Sequence, residues 1–493
     1  MARISMVLLM VFALGCEREA PEQIRFGLSS GIVTLDPRFV TDATSSRLCR
    51  LIYDQLVKFD ESFRPIPSLA DWELESPTQY VFTLLGDKQF HDGRLLTALD
   101  VAATYESILE PQTASPHRSS LDLIEEISTR GDKQIVFKLK RSEPLFPGLL
   151  TIGILPQASA AKSNKETLGK IIGSGPFRVL GKWSDKRIIL QRMLDEREIS
   201  FEVTKDQTVR ALRMVNGELD ILQGGLAPEI AAWLDEQDGI TTRQQAGTTF
   251  TYLGLNIQDE YLSQTKIRRA LAHGINKAEL ADRLFVGRAR LAKSIFTPEH
   301  WVYDNNLEGY EFDPEKAKIL LSEAGFSKQN PLRLSYKTSS DLFRLRVATV
   351  IQHQLANIGV EVKIQSYDWG TFYGDIKAGR FQLYSLSWVG LKLPDIFRYV
   401  FHGDSLPPNG ANRGQYLSPV VDDLIESAEA AKTIEEKVPI YRKIQQQILA
   451  DLPYVPLWYE DHVIVQRDDI RGYNVGLDGN FDSLVNVQRS SIR

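Results

Sequence analysis

The chain has 493 residues, 43% hydrophobic and 25% charged, with a formal net charge of −6. That balance excludes a disordered or fibrous chain, and the length allows about two to four domains. It gives no sign of the concentrated basic face that nucleic-acid binding requires.

In chain order, Arg3 is the one early charge, Ile4 to Leu14 is almost wholly apolar, and Gly15 and Cys16 follow. This is the layout of a secretory signal, residues 1–15, too short for the roughly 20 apolar residues of a spanning helix. Ala13-Leu14-Gly15-Cys16 resembles the lipobox of bacterial lipoproteins. The resemblance implies that Cys16 becomes a lipid-bearing N-terminus, with residues 16–21 as a polar tether. An ordinary secretory signal with an incidental cysteine is the other reading, and either one exports the chain. The sequence has 2 cysteines, so with Cys16 lipidated Cys49 has no partner for an intramolecular disulfide.

Ile24 to Leu28 reads as a strand. The run Gly27-Leu28-Ser29-Ser30-Gly31 fits the G-x-S-x-G pattern of a nucleophile elbow. That elbow needs a helix immediately after it, and Ile32 to Pro37 (IVTLDP) is no helix start, so no catalytic role is expected of Ser29. Thr97, with Asp100 three residues on, caps a predicted helix from Ala98 to Leu109. His91, in Phe90-His91-Asp92-Gly93, reads as a histidine at a hairpin end. Gln134 to Lys140 alternates Ile135, Phe137 and Leu139 with mostly polar neighbours, which predicts a strand with one buried face. Gly173-Ser174-Gly175-Pro176-Phe177-Arg178 begins like a dinucleotide fingerprint but ends on arginine, and no P-loop is present.

Asn276 and Glu279 have capping-box spacing, and Asp313-Pro314-Glu315 starts a helix that Gly325 closes. Gly359 to Gln365 predicts a further strand. The 7 histidines form no metal-ligand spacing. Strands and helices intermix throughout, an α/β (α+β) pattern without a Pro/Gly-rich linker. No cofactor, metal or enzymatic activity is expected.

Several segments together resemble the extracellular solute-binding proteins of family 5, the dipeptide/oligopeptide/nickel type that feed ABC importers. They are Thr34-Leu35-Asp36-Pro37, Leu51 to Val57, Pro67 to Trp72, Lys88 to Val101 (KQFHDGRLLTALDV) and Gly173 to Trp183. Asn216 to Asp220, Tyr252 to Asn256, Ile267 to Asn276 and Ala317 to Gly325 continue the order. The resemblance implies a periplasmic-binding-protein-like type II fold with two lobes, a hinge and an inserted third domain. It places lobe I at 22–60, 173–262 and 467–493, the inserted domain at 61–172, and lobe II at 263–466. It implies a monomer that closes on a peptide or other small molecule and delivers it to ABC permease subunits in the membrane, facing the periplasm or cell exterior.

Candidate ligand residues follow from clefts being lined by aromatics with a few polar groups. Trp369, Tyr373, Tyr384 and Trp388 fall in a short span, and Tyr252 lies in one of the matching segments. Dipeptide-binding members carry an acid after this tryptophan, where Leu391 stands here; Asp395 is a possible substitute. They also carry an arginine where Lys337-Thr338 stands, at Thr338. Both terminal clamps are thus altered, which argues against a dedicated dipeptide site, because a buried amino group without its counter-charge costs several kcal/mol. Asn412 and Arg413, in NGANRGQY, offer a carboxylate partner. Longer or modified peptides remain open, as does a non-peptide solute such as a metal chelate, opine or sugar.

Overall fold

The computed structural model describes residues 23–285, 287 and 289–490. Cys16, the signal and the tether lie outside them. One large sheet runs through the molecule. Its strands are β1 (Ile24–Leu28), β2 (Phe177–Leu180), β3 (Arg187–Arg192), β4 (Glu198–Val203), β5 (Ile221–Gln223), β6 (Ile240–Leu255), β7 (Leu332–Ser339), β8 (Val360–Tyr367), β9 (Leu383–Trp388) and β10 (Tyr454–Arg467). Their order across the sheet is β8-β7-β9-β6-β10-β5-β1-β4-β3-β2, with Ala289–Leu291 paired onto β10.

Two strands organise this sheet. β6 has 16 residues and β10 has 14, far longer than an ordinary strand of about 5–6. They pair antiparallel from Ile240↔Arg467 to Gly254↔Tyr454, with an irregularity between Gln245 and Thr249. On one side of that irregularity β5 joins β10, and β1 runs parallel to β5. On the other side β9 joins β6 antiparallel, and β7 and β8 run parallel to β9. β1 and β5 therefore run in the direction of β6, while β7, β8 and β9 run against it. Their carboxyl ends face one another across the middle of the long pair.

The local signals read from sequence have direct counterparts. The helix Ala98–Leu109 begins on a capping box, with the Thr97 amide donating to Asp100 at 2.9 Å. Asp313 caps Pro314–Glu323 by accepting from the Lys316 amide, and Gly325 follows with φ +89°. Asn276 accepts from the Glu279 amide at 3.0 Å to start Lys277–Phe285. Ile135, Phe137 and Leu139 are buried in Gln134–Leu139, which lies inside a separate four-stranded antiparallel sheet with Ala70–Ser76, Gln79–Leu84 and Ile124–Arg130. Its phenylalanines stack at right angles, Phe82 to Phe137 at 5.5 Å.

The Gly-Ser-Gly segment has a packing role. A Cβ at Gly173 would sit 1.9 Å from the Ile52 carbonyl oxygen, and one at Gly175 would sit 2.5 Å from that of Leu51. The end of the helix Ala43–Ile52 presses on this backbone and leaves no room for a side chain. His91 fastens the same stretch: its Nε2–H donates to the Gly175 carbonyl at 2.9 Å and its Nδ1 accepts from the Gly173 amide at 3.3 Å. Burial lowers its pKa. The strand Ile24–Leu28 leads into extended backbone, and the next helix begins at Ala43, so the G-x-S-x-G run forms no elbow. Cys49 is a buried free thiol.

Candidate functional site

In open α/β sheets, ligands settle in the crevice beyond the carboxyl ends of the strands. Here that crevice lies where β1 and β5 face β7 and β9, and it holds cavities of about 810 and 320 Å³. The larger is bounded by Gly224–Glu229 after β5, Asp341–Arg346 after β7, and Glu460–Val463 on the long strand β10. The smaller is bounded by Pro37, Phe59 and Gly148 on one side and Gly390, Lys392 and Leu393 on the other. Val33, Leu342, Trp369 and Val389, the exposed apolar residues of this region, follow β1, β7, β8 and β9 respectively, and each is more than half exposed. Apolar side chains held out at converging strand ends suit a solute with apolar surface.

The crevice also carries charge. Arg344 Nη1 lies 3.2 Å from Glu460, which accepts from the Thr251 hydroxyl at 2.8 Å. Arg346 pairs with Glu229 from the opposite side. None of these residues was singled out in the sequence. Their signal is positional: each follows a strand end or sits at the middle of a long strand, which no local pattern displays.

Among the residues expected from sequence, five line one small cavity of about 30 Å³, room for about one water: Tyr252, Tyr384, Trp388, Asn412 and Arg413. Tyr252 and Trp388 come from the paired strands β6 and β9, while Asn412 and Arg413 come from the loop after Gly403–Ser405. Arg413 lies between two rings, 5.0 Å from the Trp388 centroid and 5.5 Å from that of Tyr373. Its Nη2 donates to the Tyr373 hydroxyl at 3.1 Å and its Nη1 to that of Tyr252 at 3.5 Å. Burial opposes its charge, and the surrounding tyrosines outweigh burial, so its pKa is raised. Trp369 extends the stack, 5.3 Å from Tyr373 with the planes 8° apart. Asn412 is turned inward, bonding the carbonyls of His402 and Tyr416, and shapes the loop.

The other candidates are placed differently. Lys337 is held by Asp375 at 2.6 Å, and Asp375 also pairs with Arg380. Thr338, next along the strand, faces the opposite way and is 1% exposed. Leu391 is half-buried and packs against the aromatic cluster around Phe397. Asp395 stands exposed at the start of the helix Ile396–Phe401. Lys392, between these last two, reaches Asp478 at 3.1 Å and lies over the Phe59 ring. Among the described residues, no cluster of three or more His, Cys, Asp and Glu could hold a metal, and no helix is long and apolar enough to cross a membrane.

A model of the bacterial extracellular solute-binding proteins, family 5 Middle, matches residues 64–404. The chain is 27% identical to di/tripeptide-binding protein 2 of Pseudomonas aeruginosa strain UCBPP-PA14, over 96% of each chain. It is 26% identical to the dipeptide-binding protein of Escherichia coli K12, over 89% of this chain and 90% of that one. A solved structure, the periplasmic binding protein DppA of Helicobacter pylori in complex with peptide STSA, superposes with a TM-score of 0.77 at 26% identity, covering 96% of this chain and 99% of the other.

Proposed function

The chain belongs to the bacterial extracellular solute-binding proteins, family 5, and from that membership we propose that it is the substrate-binding component of an ABC importer, capturing peptides or peptide-like solutes in the central crevice. One observation carries this reading. The carboxyl ends of β1 and β5 face those of β7 and β9 across a crevice that the long strands β6 and β10 of the sheet span. Two bodies joined by a narrow strand pair can rock, and a solute touching both favours the closed arrangement. Relatives named for di- and tripeptides and for a bound tetrapeptide support the peptide class.

In this reading the bodies are 22–60, 173–262 and 467–493 on one side and 263–466 on the other, with 61–172 inserted. The solute leaves unaltered, and the membrane permease recognises the closed form. Cys16 carries the lipid that tethers the protein outside the membrane. Metabolic labelling with a radioactive fatty acid tests that point: label should enter the native protein and not Cys16→Ser.

Calorimetry of the mature protein against di-, tri- and tetrapeptides tests the main reading. Binding accompanied by a fall in radius of gyration is expected, with Trp388→Ala weakening it about tenfold or more, the loss expected for an aromatic anchor. A second reading, the same receptor on a non-peptide solute, draws on Leu391 and on the buried Thr338, neither of which supplies a charge to a peptide terminus. Mass spectrometry of the co-purifying ligand separates the two.

A further inference from the structure

The two cavities of the crevice differ in charge. The larger is lined by Lys205, Glu229, Arg344, Arg346, Glu460 and Asp461 among others. The smaller, of about 320 Å³, has no aspartate or glutamate among the described residues that line it. Its apolar walls are Pro37, Val40, Phe59, Leu121, Leu149 and Leu393. Pro37 and Val40 follow β1, and Leu393 follows β9, so an occupant would touch both sides of the crevice. Between these walls stand the hydroxyls of Ser46, Ser120 and Thr151 and the amide of Gln55. Gln55 accepts from Arg50 at 2.8 Å through its Oε1, which leaves its amide N–H groups to donate.

The ionisable groups that reach this cavity are Cys49, His117 and Lys392. Burial pushes the Cys49 thiol up and the His117 imidazole down, so both are uncharged at neutral pH. Lys392 carries the charge, and it is engaged: its ammonium lies 3.1 Å from Asp478 and 5.2 Å from the centre of the Phe59 ring. A second ammonium here would meet Lys392 and find no acid of its own. A carboxylate would have to share Lys392 with Asp478, a like charge. Either would surrender hydration that hydroxyls and one amide do not return. An uncharged group surrenders far less, and its carbon gains by burial against the walls. The volume equals about ten waters at roughly 30 Å³ each, which is room for one large side chain.

We propose that this cavity is a subsite for an uncharged side chain of the solute, apolar or amide-bearing, and that it rejects ammonium and carboxylate side chains alike. The proposal rests on the solute-capture reading and adds which side chains are admitted.

The probes are tripeptides of alanine in which each position in turn is replaced by norleucine, glutamine, lysine or glutamate. Binding is measured by calorimetry. In the wild type, one position should admit norleucine and glutamine and weaken lysine and glutamate about 10–100-fold. Thr151→Asp and Ser120→Asp each bring an acid to the cavity, from different places in the chain. At that position either variant should bring lysine to within about threefold of norleucine, or past it, and weaken glutamate further. The wild-type series needs no variant to fold. Charged and uncharged side chains binding alike at every position would overturn the subsite and leave solute capture standing. A charge penalty that both folded Asp variants leave unchanged would place the selection elsewhere and overturn the assignment to this cavity. Silence from every peptide would overturn the peptide class and this subsite with it.

Discussion

The Lys392 ammonium lies 3.1 Å from the Asp478 carboxylate, joining the loop after β9 to the C-terminal segment that packs on β1. Arg50 is also close enough to act on this acid. Burial would raise the Asp478 pKa, but Lys392 and Arg50 outweigh it and hold it below the usual carboxylate range. An acid with a lowered folded pKa stabilises above its unfolded value, near pH 4, and that contribution fades as pH falls through the folded value. Lys392→Met should remove the contact and leave the acid with less compensation, at a cost of about 1–3 kcal/mol. Scattering should show a more open ligand-free protein. An unchanged radius of gyration and an unchanged urea midpoint would refute the contact's role.

His300 should set a second acid sensitivity. It is 4% exposed, stacked 4.1 Å from Phe296 and 5.5 Å from Phe63, and burial lowers its pKa to about 4. Its Nε2–H donates to the Lys392 carbonyl at 3.0 Å and its Nδ1 accepts from the Val302 amide, an arrangement only the neutral ring can make. Unfolding lets the ring take a proton near pH 6.5, so stability should fall between about pH 6.5 and 4, by about 3 kcal/mol in all. His300→Phe should flatten that part of the stability-versus-pH curve. A variant as acid-sensitive as the native chain would show that the slope arises elsewhere.

Lys437 and Glu143 make a buried pair at 3.5 Å, with side chains 1% and 13% exposed. Lys437 also donates to the Ala428 carbonyl at 2.6 Å. Removing the acid alone strands a buried ammonium, so Glu143→Ala should cost about 3–5 kcal/mol in chemical denaturation. Glu143→Leu combined with Lys437→Met should recover most of that loss, because the desolvation penalty disappears with the charges. A double variant no more stable than the single one would contradict this.

Gly173→Ala should fail to give soluble folded protein. Its methyl would lie 1.9 Å from the Ile52 carbonyl oxygen, which backbone in a packed helix end cannot vacate cheaply. Gly169→Ala serves as the control, since nothing stands within 4 Å of a Cβ there. Expression and circular dichroism of the two variants decide the point.

Much of the local fold was legible beforehand. Thr97 with Asp100, Asp313 with Pro314, and Asn276 with Glu279 start helices because a side-chain oxygen three residues before an amide can cap it wherever the rest of the chain goes. The alternation of Ile135, Phe137 and Leu139 marked a strand for a similarly local reason: successive side chains point to opposite faces. The site was less legible. Trp388, Tyr252, Asn412 and Arg413 do line one cavity. Lys337 proved to be engaged by Asp375, and nothing in its own neighbourhood announced a partner 38 residues away.

By itself, the sequence determined where helices and strands start and stop and which faces they bury, because capping and alternation act within a few residues. Only the tertiary structure decided where the crevice lies and which side chains gather around Arg413. Arg413 meets Tyr252 from 161 residues away, across strand pairings made elsewhere in the chain. Whether a guanidinium has a counter-ion depends on everything that folding packs around it.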